Sequence, residues 1–125
     1  MNIWDELSRA ERVVLTNALE EAPLNQVIGD YLGHRDDGGS WRFSDDTEAI
    51  APLIPRFVAI VRNMIDRDLV QLVTATGYAD PPDAPPMTDT EVAAALADPA
   101  TWLPPVGAGP VMLIPTDHAV RLVRG

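Results

Sequence analysis

The chain has 125 residues, with nineteen acids, nine arginines, no lysine and no cysteine, and a formal net charge of −10. That length suits a single domain, 1–125, with a core that needs no covalent or metal staple. The missing thiols exclude disulfides, thiolate catalysis and cysteine-ligated zinc. The charge opposes nonspecific attraction to phosphate backbones, so nucleic acid is a disfavoured partner and a basic protein or peptide a favoured one.

Ile3, Leu7, Ala10, Val14 and Ala18 form a helical stripe, widened by Leu15 and Leu19, and Asp5 stands four residues before Arg9 as an exposed ion pair. Pro23 interrupts this helix. Leu24, Val27, Ile28, Tyr31 and Leu32 repeat the pattern, predicting a second short helix that starts at the proline and stops at Gly33. From Gly33 to Ser44 the chain is polar and glycine-rich, a loop running into a short edge strand in which Trp41 and Phe43 alternate with Arg42.

Asp45 followed by Glu48 caps what comes next. Pro52 and Pro55 cannot both occupy one undisturbed helix interior, so the segment divides into a short helix from Asp46 to about Leu53 and a longer one from Pro55 to Asp68. Ile50, Ile54, Phe57, Val58, Val61, Met64 and Ile65 mark the buried face of the pair. Leu69–Thr74 and Val111–Ile114 are rich in strand formers and are expected to pair antiparallel. Residues 76–109 between them are a proline-rich insertion whose one regular element is a helix from Asp89 to Ala97 behind the capping box Thr88 to Glu91. Thr116 or Asp117 caps a last turn containing Val120 and Leu122. There are no internal repeats. The fold class is α+β, mainly helical.

A helix ending Ile65-Asp66-Arg67-Asp68-Leu69-Val70 and leading into a strand, with a later Leu113-Ile114-Pro115-Thr116-Asp117, resembles the recognition helix and wing of winged-helix regulators. The resemblance covers about half of the chain and implies a winged-helix-like domain with an elaborated, proline-rich wing. Such domains bind DNA, peptides or other proteins. The chain departs from the DNA-binding pattern where Asp68 replaces a frequent glycine, where the wing carries acids, and in its overall charge. Its arginine-only basic set and its alanine, proline and aspartate content resemble small actinobacterial proteins. Taken whole, the chain is similar to proteins of peptide-biosynthesis gene clusters, including the lysinoalanine-bridge-forming protein of cinnamycin-type lantibiotics. That last resemblance carries no catalytic residue over.

The loop His34-Arg35-Asp36-Asp37 brings an imidazole, a guanidinium and two carboxylates together, a set suited to gripping a peptide carboxylate, moving a proton or binding a hard cation, although polar glycine-rich loops of this composition are more often solvated turns. For a catalyst, His34, Arg35 and Tyr31 are the residues to test; for partner binding, His34, Arg35, Asp36, Asp37, Trp41 and Trp102 are. Trp102, between Asp98-Pro99 and Pro104-Pro105, is the aromatic expected to be partly exposed. His118 is the second histidine. No phosphate loop, nucleophile elbow or zinc-hydrolase helix occurs, and neither cofactor nor metal is expected. Arg56, Arg62 and Arg67 do not form one stripe for phosphate contact.

The expected function is therefore a binding or accessory protein acting on a polypeptide, as an acidic immunity-type protein or in peptide biosynthesis. A small peptide-modifying enzyme of the lysinoalanine-forming type and a winged-helix DNA-binding regulator are the alternatives. The first residues lack the basic start and apolar core of a secretion signal, and no apolar run is long enough to span a bilayer. A cytoplasmic protein without a membrane partner is expected, and a homodimer is compatible with the composition.

Overall fold

The computed structural model describes residues 3–74, 85–103 and 111–124. The chain begins with two helices where one was expected, α1 (Ile3–Glu6) and α2 (Arg9–Leu19). Ser8 is the reason. Its hydroxyl accepts from the Glu11 backbone N–H at 3.2 Å while the Glu11 carboxylate accepts from the Ser8 N–H at 2.9 Å, a capping box that starts a new helix inside the apolar stripe.

α2 ends with Glu21 in the left-handed region, φ 56°. The amides of Glu21 and Ala22 close back onto Ala18 O and Asn17 O at 2.9 and 3.0 Å, a Schellman ending without its usual glycine. A 3-10 turn over Leu24–Gln26 then leads into α3 (Val27–Tyr31).

The polar loop is a small hairpin. β1 (His34–Arg35) pairs antiparallel with β2 (Trp41–Arg42), with His34 opposite Arg42 and Arg35 opposite Trp41. Next come α4 (Thr47–Ile50), capped by the Asp46 carboxylate on Glu48 N at 3.0 Å, a 3-10 turn over Ala51–Leu53, and α5 (Ile54–Asp66). Pro52 and Pro55 both sit within the first two positions of the element they open, where a missing N–H removes no helical bond. Phe57, Val61 and Met64 are buried, while Ile54, Val58 and Ile65 pack half-buried at the border.

α5 closes with a second Schellman motif. Asp68 takes the left-handed conformation, φ 57°, with Asp68 N on Ile65 O and Leu69 N on Met64 O at 3.0 and 2.9 Å. The chain continues into β3 (Val70–Thr74), which pairs antiparallel with β4 (Val111–Pro115), Val70 opposite Pro115 and Thr74 opposite Val111. Ala22 and Pro23 line the other edge of β4, through a bridge from Pro23 to Met112 and a Leu113 N to Ala22 O bond of 2.9 Å. α6 (Asp89–Ala97) starts at the Thr88–Glu91 capping box, and α7 (Asp117–Arg124) starts at Thr116. The Thr116 hydroxyl accepts from Ala119 N at 3.0 Å and donates to Asp68 O at 2.6 Å, tying the last helix to the left-handed corner of α5.

The fold is thus α+β and mainly helical, with two small antiparallel sheets. One buried cluster draws on residues from Ile3 in α1 to Ala119 in α7. No described helix is long and apolar enough to cross a membrane. Of the expected insertion over residues 76–109, the parts 76–84 and 104–109 lie outside the described residues.

Trp102 corrects the sequence reading. It is fully buried, and its indole N–H donates to Leu96 O at 3.1 Å. The Asp98 carboxylate accepts from Ala100 N and caps a 3-10 turn over Pro99–Thr101, which folds the chain back so that the tryptophan enters the core beside the end of α6. Pro99 opens this turn, and Pro104 and Pro105 lie outside the described residues. Trp102 is therefore withdrawn as a partner-binding residue.

Candidate binding site

The hairpin is built around Asp36. One carboxylate oxygen accepts from Gly38 N and Ser40 N, both at 2.9 Å, and the other accepts from Arg42 Nε at 2.7 Å. The Arg42 bond, then the Ser40 amide, hold the Asp36 carboxyl below its ordinary range against the opposing effect of burial, with the Gly38 amide and the charge of His34 adding to the lowering. Gly39 completes the turn at φ 82°, a conformation that suits glycine. Arg35 donates to Gly39 O at 3.0 Å and lies 5.9 Å from the Trp41 ring centroid. Asp36 is therefore committed to the turn, and it shapes the hairpin rather than reaching out of it.

Trp41 joins the hairpin to the core. Its indole N–H donates to Asp30 Oδ1 at 2.8 Å, and Asp30 Oδ2 accepts from the amide of fully buried Asn17, also at 2.8 Å. The same amide donates to Val13 O at 2.8 Å, and Gln26 donates to Asn17 Oδ1 at 3.5 Å. Gly33 is the floor under the indole, since a Cβ there would stand 2.8 Å from Trp41 Nε1 and from Arg42 O. Even so, Trp41 is 43% exposed and Phe43, two residues on, is 45% exposed. These two are the largest exposed apolar side chains of the described residues.

Tyr31 belongs to a different cluster. Its ring packs edge-on against buried Phe57 with centroids 5.2 Å apart. The Arg9 guanidinium lies 4.4 Å from the ring centroid and donates to Tyr31 O at 2.8 Å; the Arg56 guanidinium lies 5.4 Å from the centroid and donates to the Tyr31 hydroxyl at 3.2 Å. The ion pair expected between Asp5 and Arg9 does not form, because Arg9 turns to Tyr31 instead.

The sequence-derived candidates are thus divided. His34 and Arg35 are successive strand residues whose side chains leave opposite faces, and Tyr31 is held in the arginine cluster. His34 is exposed without a side-chain hydrogen bond among the described residues, and Asp37 is exposed. His118 stands on α7, which packs on α1 and β4 rather than being built into the hairpin. Among the described residues no group of three or more His, Cys, Asp or Glu is placed to hold a metal ion. Asp30, Phe43, Arg9 and Arg56 are the site residues that sequence reasoning missed in these roles. Of these, Phe43 alone had a local signal, its alternation with Trp41.

The arginines of α5 are each engaged within the molecule. Arg56 is on Tyr31, Arg62 faces Asp66 at 3.8 Å, and Arg67 pairs with Glu11 at 3.0 Å. Partial burial alone would push the Glu11 carboxyl up, but its hydrogen bonds with Ser8 and the Arg67 charge together hold it below the ordinary range. Comparison of the chain with protein-family models, with curated proteins and with solved structures found no match.

Proposed function

We propose that the protein is a binding or accessory protein for a polypeptide partner, and that the β1–β2 hairpin is its contact surface. The observation that carries this reading is the pair Trp41 and Phe43, exposed on a hairpin whose turn is fixed by Asp36 and whose base is fixed by Asp30. Rigid aromatics lose little conformational entropy on binding and are enriched among interface anchors. Exposed Asp37, Asp45 and Glu48 flank them, which favours a partner carrying basic residues.

A winged-helix-like arrangement for this binding domain draws support from the helix α5 running into β3 and from the antiparallel β3–β4 pair. The engaged arginines of α5 and the charge of −10 favour protein over DNA as the partner of such a domain.

A random peptide library displayed on phage, panned on the wild-type chain, tests the reading. Enriched peptides should combine arginine or lysine with an apolar residue, and Phe43→Ala should weaken them by about thirtyfold, the loss of a hot spot worth about 2 kcal/mol. Phe43 is exposed and stands outside the buried cluster, so the variant should keep the fold. Failure to enrich any peptide, or binding indifferent to Phe43→Ala, overturns the proposal.

A further inference from the structure

The cluster on Tyr31 holds two guanidinium groups and no carboxylate. Arg9 uses one N–H group on Tyr31 O and Arg56 uses one on the Tyr31 hydroxyl, so each retains further N–H donors. The hydroxyl accepts from Arg56, and its own proton is directed to no acceptor among the described residues. Neither guanidinium forms an ion pair with a described carboxylate. Two cations beside one ring repel each other, and cation–π attraction at an exposed site offsets only about 0.5–1 kcal/mol of that.

We propose that Arg9, Arg56 and Tyr31 form a carboxylate-binding site. A guanidinium fork matches a planar carboxylate in two parallel hydrogen bonds, and the tyrosine hydroxyl supplies a further neutral donor. A bound carboxylate accepts from all three groups and relieves the repulsion between the arginines. The acidic body selects against a phosphate dianion, which meets the repulsive field of the whole chain twice over. Phe57 packs edge-on against the ring, and it is fully buried, so the ring is held before the ligand arrives. The site is independent of the hairpin surface proposed above and shares no residue with it.

Sodium acetate tests the site, titrated into the intact chain at constant ionic strength maintained with chloride, with the arginine Nε–Hε and Tyr31 ring signals followed by NMR. Saturable shifts confined to Arg9, Arg56 and Tyr31 are expected. Arg56→Gln and Arg9→Gln should each weaken the binding by about tenfold or more, the loss of a charge-assisted bond. Both side chains are exposed, and retained chemical shifts of core methyl groups verify the fold of each variant. Arg56→Lys, which keeps the charge without the fork, should bind more weakly than wild type. An N-acetylated tripeptide with a free C-terminus and its amidated twin distinguish the source: tighter binding of the free acid than of acetate assigns the site to a chain end, and equal binding assigns it to the carboxylate alone. Linear, unsaturable shifts, equal effects of acetate and chloride, or inorganic phosphate bound more tightly than acetate overturn the proposal.

Discussion

Replacing Asp30 by alanine removes the side-chain bond that holds the hairpin to the body, beside the backbone bond from Ser44 N to Gly29 O. The carboxylate has two partners of different standing. Trp41 is 43% exposed, so its indole N–H, once released, turns to water at little expense. Asn17 is fully buried, and its amide donates one hydrogen to Val13 O and the other to Asp30, so Asp30→Ala leaves a buried donor without a partner. That second effect dominates, at about 1–3 kcal/mol. With a denaturant slope of about 1–3 kcal/mol per molar urea, the unfolding midpoint should fall by about 1 M. In the NMR spectrum the Trp41 indole N–H should lose its protection from exchange while Trp102 keeps its own, since Trp102 donates to Leu96 O. Asp30→Asn retains one acceptor oxygen and should fall between the two. An unchanged midpoint together with a protected Trp41 indole in Asp30→Ala would refute the network.

Trp102→Ala should destabilise the chain by about 3–5 kcal/mol in urea unfolding, as for a large buried aromatic, and a loss under about 1 kcal/mol would return Trp102 to the surface. The Asp36 carboxyl is held below its ordinary value of 3.8, so its contribution to hairpin order is present above that value and is lost as pH falls through the lower folded one. The Gly38 and Ser40 amide signals should therefore titrate with a midpoint below 3.8, and a midpoint at or above it would contradict the bonding to Arg42. Glu21→Gly should stabilise by about 0.5–1 kcal/mol, because the left-handed conformation costs an L-residue about 1–2 kcal/mol and part of that gain is returned as unfolded-state entropy. Duplex DNA should not bind tightly at physiological ionic strength by fluorescence anisotropy; a nanomolar complex abolished by Arg56→Gln and Arg62→Gln would favour the regulator instead.

The elements legible in the sequence are those whose causes are local. Pro52 and Pro55 divide α4 from α5, Thr88 and Glu91 start α6, and the strand formers of β3 and β4 find each other as expected. The break at Ser8 had the same kind of signal, a serine three residues before Glu11. It was concealed because Ile3, Leu7 and Ala10 keep helical spacing across it. Two-residue strands such as β1 and β2 carry no period to read, and their pairing depends on the Asp36 turn and on Asp30, which lies eleven residues from Trp41. The burial of Trp102 is equally non-local. Of the site, the composition of residues 34–41 marked the hairpin, whereas the approach of Arg9 and Arg56 to Tyr31 spans 22 and 25 residues and leaves no local pattern.

Three of the nine arginines form ion pairs among the described residues. Arg42, Arg62 and Arg67 each have a carboxylate, and each thereby fixes a piece of local or tertiary structure: the hairpin turn, a helical turn of α5, and the α5–α2 contact. Arg9 and Arg56 instead lie beside the Tyr31 ring, which packs edge-on against Phe57. Asp30 and Tyr31 are consecutive at the end of α3, so one short helix supports the hairpin anchor through one residue and the arginine cluster through the next. The two surfaces are nonetheless separable by mutation. Phe43→Ala should weaken a polypeptide partner and leave acetate binding intact, while Arg9→Gln should do the reverse for an uncharged-terminus peptide. A variant pair that affects both ligands equally would mean that the hairpin and the Tyr31 cluster act as one site.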